Sequence, residues 1–350
     1  MIINKKSLAC IGLATHLLFT SCFHNPRIEE DIYEIENKIS KSQGLFSPKK
    51  NSVLENIENV VENTLEKGKY YLIKEESTKQ EKNNNKTSKN SERKDIKRIP
   101  ILMYHDVGYP NESSYSTRYV VTPGNFRKQL DLLHRKDYVP ISIDEYLRDD
   151  FSKVPEDKKP VILTFDDAIK GQFRYMDNNK IDPESAVGIM NDFSKEHDEW
   201  RKKAAFFIDF VDTEGFFQVP FEQKGKEKDK ISYLKENGYE VYCHTMYHPS
   251  LERAGFKNIV NDIRTFKYLM EQMDFEKKGI IAVPYGAFPQ MDKTWNFLDK
   301  KFDYYFAAFA RTPDKRAKRV HSENFDARYI PRIEVPPDNI KTLESYLKGF

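Results

Sequence analysis

From Ile99 to the C-terminus the chain alternates short apolar runs with amphipathic segments, and this alternation limits the fold more than any other feature. The runs IPILMYHDV, PVILTF, KAAFFIDF, YEVYCH, GIIAVPYG and YYFAAFA are rich in β-branched and aromatic residues and read as strands. Between the first two, residues 123–136 place Phe126, Leu130 and Leu133 on one helical face, and VPIS makes a short strand before the helix IDEYL. Further helices are predicted over 183–196, 231–237, 256–273 and 292–300. Continuous apolar strands separated by helices need both faces of a sheet covered, so the sheet is parallel, either a barrel or doubly wound.

In such folds reactive residues gather at the carboxyl ends of strands. This chain places polar residues there repeatedly: His105 and Asp106 after ILMY, Asp166 and Asp167 after ILTF, His244 after EVYC, and Tyr285 after IIAVP. The stretch LTFDDAIK is the sharpest case. Successive side chains on a strand point to opposite faces, so two adjacent acids share a site only if the backbone is already turning. A strand end with a local Asx turn would explain one such pair, but four polar strand ends are hard to assign to turns. Bulk charge gives no rival explanation: 57 basic against 55 acidic residues leave no global field for nucleic acid.

The second marker is EVYCHTMYHP, with His244 and His248 four apart, a spacing that suits a divalent metal. A zinc-protease helix would carry Glu directly after the first His, whereas Thr245 stands there. Pro249 biases His248 away from helical geometry, which favours a strand-to-loop site. Joined to Asp167, the pair gives one carboxylate and two imidazoles with open positions, a set that serves Zn²⁺ hydrolysis and Fe(II) oxygenation alike. Oxygenase triads usually sit on an all-β scaffold, which an alternating α/β chain does not offer.

TFDD, HTMYHP and VPYG, in that order, resemble the successive motifs of the polysaccharide deacetylases, the NodB-homology or carbohydrate esterase family 4 enzymes. The resemblance spans 99–349 and implies a distorted (β/α)7 barrel and removal of acetyl groups from an N-acetylated glycan. It implies Asp166 as general base, with Asp167, His244 and His248 as ligands of a divalent metal, Zn²⁺ before Fe²⁺, Ni²⁺ or Co²⁺. The backbone N–H of Tyr285, in the Pro284-Tyr285 motif, would hold the oxyanion.

Two departures matter. The C-terminal Leu-x-His that supplies the acid in most members is missing; ILMYHDVG resembles instead the permuted branch that acts on poly-N-acetylglucosamine, which points to His105 as general acid, with His321 as fallback. The Arg of the usual Arg-x-Pro-Tyr is Ala282, so Arg332 in YIPRIEV is the candidate to orient the base. Peptidoglycan stays open as a second substrate, and a non-catalytic glycan-binding surface lipoprotein on a deacetylase scaffold is the rival function. Phe216 and Trp295 are candidate sugar-stacking residues.

The N-terminus, MIINKK followed by SLACIGLATHLLF and TSC, is a basic segment and an apolar run too short to span a membrane. It resembles a bacterial lipoprotein signal with Cys22 as the acylated residue, which implies an exported protein anchored to a membrane at the cell envelope, or a secreted or periplasmic one. The expected organisation is a signal over 1–21, a charged tether with helical or disordered character over 22–98, and a deacetylase domain over 99–350. Cys243 is the one thiol left in the mature body, so no internal disulfide is expected.

Overall fold

Seven parallel strands close into a barrel, each paired with the next in chain order and the last with the first. The computed structural model describes residue 93 and residues 95–350, apart from 114, 212–214, 274–278, 302–306, 312–315 and 349. The strands, in chain order, are β1 (Arg98–Ile99), β2 (Ile101–Tyr104), β3 (Asp106–Val107), β4 (Val120–Val121), β5 (Tyr138–Pro140), β6 (Lys159–Asp166), β7 (Ala205–Ile208), β8 (Glu240–Cys243), β9 (Ile280–Ala282), β10 (Ala307–Arg311), β11 (Ala317–Lys318) and β12 (Ile330–Glu334). The barrel uses β2, β6, β7, β8, β9, β10 and β12; β5 adds to the outside of β6, β3 pairs with β4, and β1 pairs with β11.

The helices are α1 (Pro123–Arg135), α2 (Ile143–Leu147), α3 (Ala186–Glu196), α4 (Glu227–Glu236), α5 (Phe256–Gln272), α6 (Asp292–Lys301) and α7 (Ile340–Tyr346). Their starts follow from local chemistry. Thr122 accepts from Asn125 N–H ahead of Pro123, and Ser142 and Glu145 form a reciprocal capping box. Helix α3 begins at 186 rather than 183 because Ser185 is its cap. Helix α4 begins four residues before the expected 231, on a polar first turn that carries Glu227 and Asp229 at its positive end.

Strand alternation divides the core. Ile101, Ile162, Ala205, Phe207, Tyr242, Ile280, Ala282, Phe309 and Ile330 fill one buried cluster. The residues between them, such as Leu102, Leu163, Phe206, Val241 and Ile281, pack in the cluster that includes helical residues Phe126, Phe193 and Ile263. On β6 and β12 the first set continues, at period two, into Thr164, Asp166 and Arg332, all buried.

The expected signal over 1–21, Cys22 and the tether to residue 92 lie outside the described residues. The expected boundary at 98 is late. Arg93 is buried and donates to the carbonyls of Val154, Pro155 and Lys158, Ile96 is buried, and β1 is part of the fold. Among the described residues no helix is long and apolar enough to cross a membrane.

Candidate metal and catalytic site

The strand ends expected to carry chemistry meet at one end of the barrel. Asp166 is the last residue of β6 and keeps the strand's inward direction. Asp167 then adopts φ 73 and Ala168 φ 46, left-handed conformations that turn the second acid back toward the first. The backbone turn that adjacent acids at one site require is therefore present.

His244 follows β8, and its Nδ1 lies 2.9 Å from the Ala282 carbonyl, which takes the ring proton there and leaves Nε2 free for the site. The loop to His248 is not helical: Thr245 has φ 69 and His248 φ 48. Asp262, on α5, holds this loop by accepting from the N–H groups of Met246 and Tyr247 at 2.8 and 2.9 Å. Burial pushes the Asp262 carboxyl up to about 6. The result is that Asp167 Oδ1 lies 3.1 Å from His244 Nε2 and 3.4 Å from His248 Nε2.

These three atoms suit one cation. Metal bonds of about 2.1 Å at tetrahedral angles would separate ligand atoms by about 3.4 Å. Asp167 Oδ1 is buried and accepts no hydrogen bond, so a cation would satisfy an orphaned acceptor. The three residues form the metal-competent cluster among the described residues. Burial pushes the Asp167 carboxyl up, but the His244 contact and the neighbouring histidines outweigh it and hold the group well below the usual range. Burial and the charge of His244 lower His248 to about 4, which keeps it a neutral ligand near pH 7.

Asp166 has a different partner. Arg332, reaching from β12 past β2, donates Nη1 to Oδ1 at 2.7 Å and Nη2 to Oδ2 at 2.6 Å, and Nη1 also to Thr164 Oγ1 at 3.1 Å. Burial alone would raise the Asp166 carboxyl; Arg332 and His244 overcome that and lower it. Its Oδ2 lies 3.8 Å from His244 Nε2, so this ionised carboxylate stands beside the metal ligands with Arg332 holding both of its oxygens.

His105 follows β2 directly beside Asp166, since Tyr104 and Phe165 are partners in register. Gln172 fastens the two strand ends by donating Nε2 to the carbonyls of His105 and Asp166, at 2.9 and 2.5 Å. The His105 ring is half-buried against Tyr119 at 4.6 Å. It is not tied up by Asp106, whose Oδ2 instead accepts from Ser113 at 2.6 Å. His321 is exposed next to β11, and β11 pairs with β1, which leads into the starting end of β2. That is the end of the barrel opposite the ligands, so the fallback acid is ruled out by position.

Tyr285 has φ 58 and is 73% exposed, with its ring 4.5 Å from that of His248; Pro284 before it is buried. Phe216 is 66% exposed on the loop after β7, which is tied to the His248 loop by the Phe210 N–H to Met246 carbonyl bond. Trp295 sits on α6 against Phe288, with the Arg328 guanidinium over its ring. Cys243 is buried and its Sγ accepts from Thr245 N–H, so it serves the loop rather than a metal.

Two site residues carried no motif. Asp209 follows β7 and is buried; burial and then the Asp167 charge push its carboxyl well up. The rule of polar residues at strand ends would have marked it in KAAFFIDF. Tyr115 lies in the loop between β3 and β4, where burial and then the Asp167 and Asp209 charges push its hydroxyl's pKa up. Nothing in NESSYST distinguishes it in sequence.

Comparison with known proteins agrees with this geometry. Residues 153–306 match the family model of the polysaccharide deacetylases. No curated protein matches the chain. Among solved structures, the chain is similar to the Streptococcus pyogenes deacetylase PplD in complex with acetate, at 22% identity and TM-score 0.53, covering 72% of this chain and 98% of that one. A polysaccharide deacetylase from Bacillus cereus gives 19% identity and TM-score 0.52 over 72% of this chain and 69% of the other. A de-N-acetylase from Aggregatibacter actinomycetemcomitans gives 15% and 0.50 over 71% and 100%. The likeness to these structures gives the barrel the NodB-type (β/α)7 fold, and the family match places a polysaccharide deacetylase domain over residues 153–306. The matched segment begins after β2 and ends before β12, so His105 and Arg332 both lie outside it.

Proposed function

We propose that the protein is a metal-dependent N-deacetylase acting on a glycan of N-acetylglucosamine, with an exopolysaccharide favoured over peptidoglycan. The observation that carries this is the convergence of Asp167 Oδ1 with two imidazole Nε2 atoms next to a second carboxylate that Arg332 holds by both oxygens. The preference for exopolysaccharide rests on the N-terminal YH motif that supplies His105. The envelope location and the Cys22 anchor rest on the N-terminal sequence.

Asp167, His244 and His248 would hold the ion, Zn²⁺ in the first instance. When bound, it supplies the positive charge that acidifies water and polarises the acetyl carbonyl. Asp166 is ionised at neutral pH and takes the proton from the attacking water; Arg332 fixes the direction in which it does so. Pairing with Arg332 keeps Asp166 a weak base in the free enzyme and stops it from swinging onto the cation, which preserves the division of labour between the two acids. The Tyr285 backbone N–H is the donor for the developing oxyanion. His105, adjacent to Asp166, protonates the departing amine. Phe216 and Tyr285, both exposed on loops around the cluster, offer ring faces to a sugar.

The rival reading as a binding protein draws on the missing motif arginine and the missing Leu-x-His; the Arg332–Asp166 pair and His105 beside Asp166 favour the catalytic reading over it. Acetate release from N-acetylglucosamine oligomers tests the proposal: it is expected to stop on chelation and to return with zinc. Zinc bound without acetate release from any N-acetylated glycan would overturn it.

A further inference from the structure

The loop joining β3 to β4 belongs to none of the motifs, yet it delivers an aromatic ring to His105. β3 and β4 run parallel with Asp106 opposite Val120, so the residues just before them, His105 and Tyr119, stand side by side. Tyr119 closes the short turn Thr117–Tyr119, with its N–H donating to the Ser116 carbonyl at 2.8 Å. Its half-buried ring lies 4.6 Å from the imidazole at a tilt of 45°, a separation at which aromatic rings attract. Earlier in the loop Ser113 Oγ donates to the buried Asp106 at 2.6 Å, which anchors the segment to β3.

His105 needs such a neighbour. Its backbone is fixed, because its carbonyl accepts from Gln172 Nε2 at 2.9 Å, but its ring turns about a terminal torsion with broad preferences. Among the described residues no hydrogen bond to the ring sets that angle. An acid that must hand its proton to one atom loses rate steeply when it points elsewhere. Tyr119 is itself braced. The Arg118 guanidinium lies 5.2 Å from the centroid of its ring, and Arg118 Nε and Nη2 both reach Glu334 Oε1 at 2.7 Å. Glu334 ends β12 opposite Met103 of β2, two residues before His105, so the brace ties the loop to the strand beside the one that carries the imidazole.

We propose that Tyr119 is a positioning residue for the general acid: its ring, braced by Arg118 on Glu334, holds the His105 imidazole in one orientation beside Asp166. As the acetyl C–N bond breaks, the imidazolium proton then passes to the departing amine nitrogen. The contact is ring on ring, so the Tyr119 hydroxyl is not required for it. The inference rests on the reading of His105 as the acid.

The test is kcat and KM on two substrates, for the zinc-loaded wild type, His105→Gln, Tyr119→Ala, Tyr119→Phe and Arg118→Met. N-acetylglucosamine oligomers release an amine that must be protonated to leave, whereas 4-nitrophenyl acetate releases a phenolate that needs no proton. Tyr119→Ala is expected to lower kcat on the oligomers about 10- to 100-fold, with KM, zinc content and the rate on the aryl ester at wild-type values. Tyr119→Phe, which keeps the ring, should restore the rate on the oligomers. Arg118→Met, which keeps Tyr119 but frees its brace, should show the same selective loss to a smaller extent, and it carries the test if the Ala variant does not fold. Equal losses on both substrates, or no loss on the oligomers, in Tyr119→Ala or in Arg118→Met where that variant stands in, would overturn the inference; a selective loss in His105→Gln would then leave the acid reading intact. A His105→Gln variant with the wild-type rate on the oligomers would overturn both.

Discussion

Replacing Arg332 by Met should unfold the protein far more readily than the loss of two hydrogen bonds at a surface would. Arg332 is 1% exposed and the Asp166 side chain 3%, so removing the guanidinium leaves a carboxylate buried without its cation. Breaking such a pair costs about 3 to 5 kcal/mol. At about 2 to 4 °C per kcal/mol for a domain of this size, the thermal midpoint should fall by roughly 10 °C. The pH dependence fixes the sign. In the wild type Asp166 sits below its ordinary value of 3.8, so its contribution is present above that value and is lost as pH falls through the lowered one. In the variant only the histidines His244 and His105 oppose burial, so the group titrates higher than in the wild type and the gap between the two proteins should widen from pH 3 toward neutrality. Adding Asp166→Asn removes the charge that was stranded, and the double variant should recover a large part of the loss, a coupling that denaturant midpoints of the four proteins would report. A loss under about 1 kcal/mol in Arg332→Met, or strict additivity in the double variant, would refute the reasoning.

Three further outcomes are expected. His105→Gln should lower kcat by about 10²- to 10⁴-fold with zinc affinity unchanged, while His321→Gln, at the far end of the barrel, should leave kcat at the wild-type value. A Cβ at Gly171 would stand 2.2 Å from Asp106 Oδ1 and 2.3 Å from the Val107 carbonyl, a backbone atom that cannot yield, so Gly171→Ala should destabilise by about 1 to 3 kcal/mol or more in denaturant unfolding. His248, lowered from 6.5 to about 4, favours folding fully above pH 6.5 and progressively less as pH falls to 4. The metal-free wild type should therefore lose about 3 kcal/mol more than His248→Ala between pH 7 and pH 4, read from the same midpoints.

The fold was readable because both of its periodicities are strong. Apolar runs such as PVILTF can only be buried on both sides, and amphipathic segments such as 123–136 supply the cover. The parallel order then brings His105, Asp166, His244 and Tyr285 to one end without further information. What sequence could not give is contact across the barrel. Arg332 reaches Asp166 only because β12 closes on β2, a long-range pairing that no local pattern encodes. His321 stood as the fallback acid behind His105 for the same reason, until the β1–β11 pair put the two at opposite ends. Trp295 carried a propensity for sugar without a position, and its place on α6 is against Phe288. Tyr115 arrives through a loop anchored by one serine, and loops of that kind leave no periodic trace.

The most direct test of the central claim, that the two adjacent acids do unlike work, is zinc content measured alongside acetate release in Asp166→Asn and Asp167→Asn. Asp166→Asn is expected to hold about one zinc per chain and release no acetate, whereas Asp167→Asn should lose the zinc as well. Loss of zinc from Asp166→Asn, or turnover that survives in it, would contradict the account.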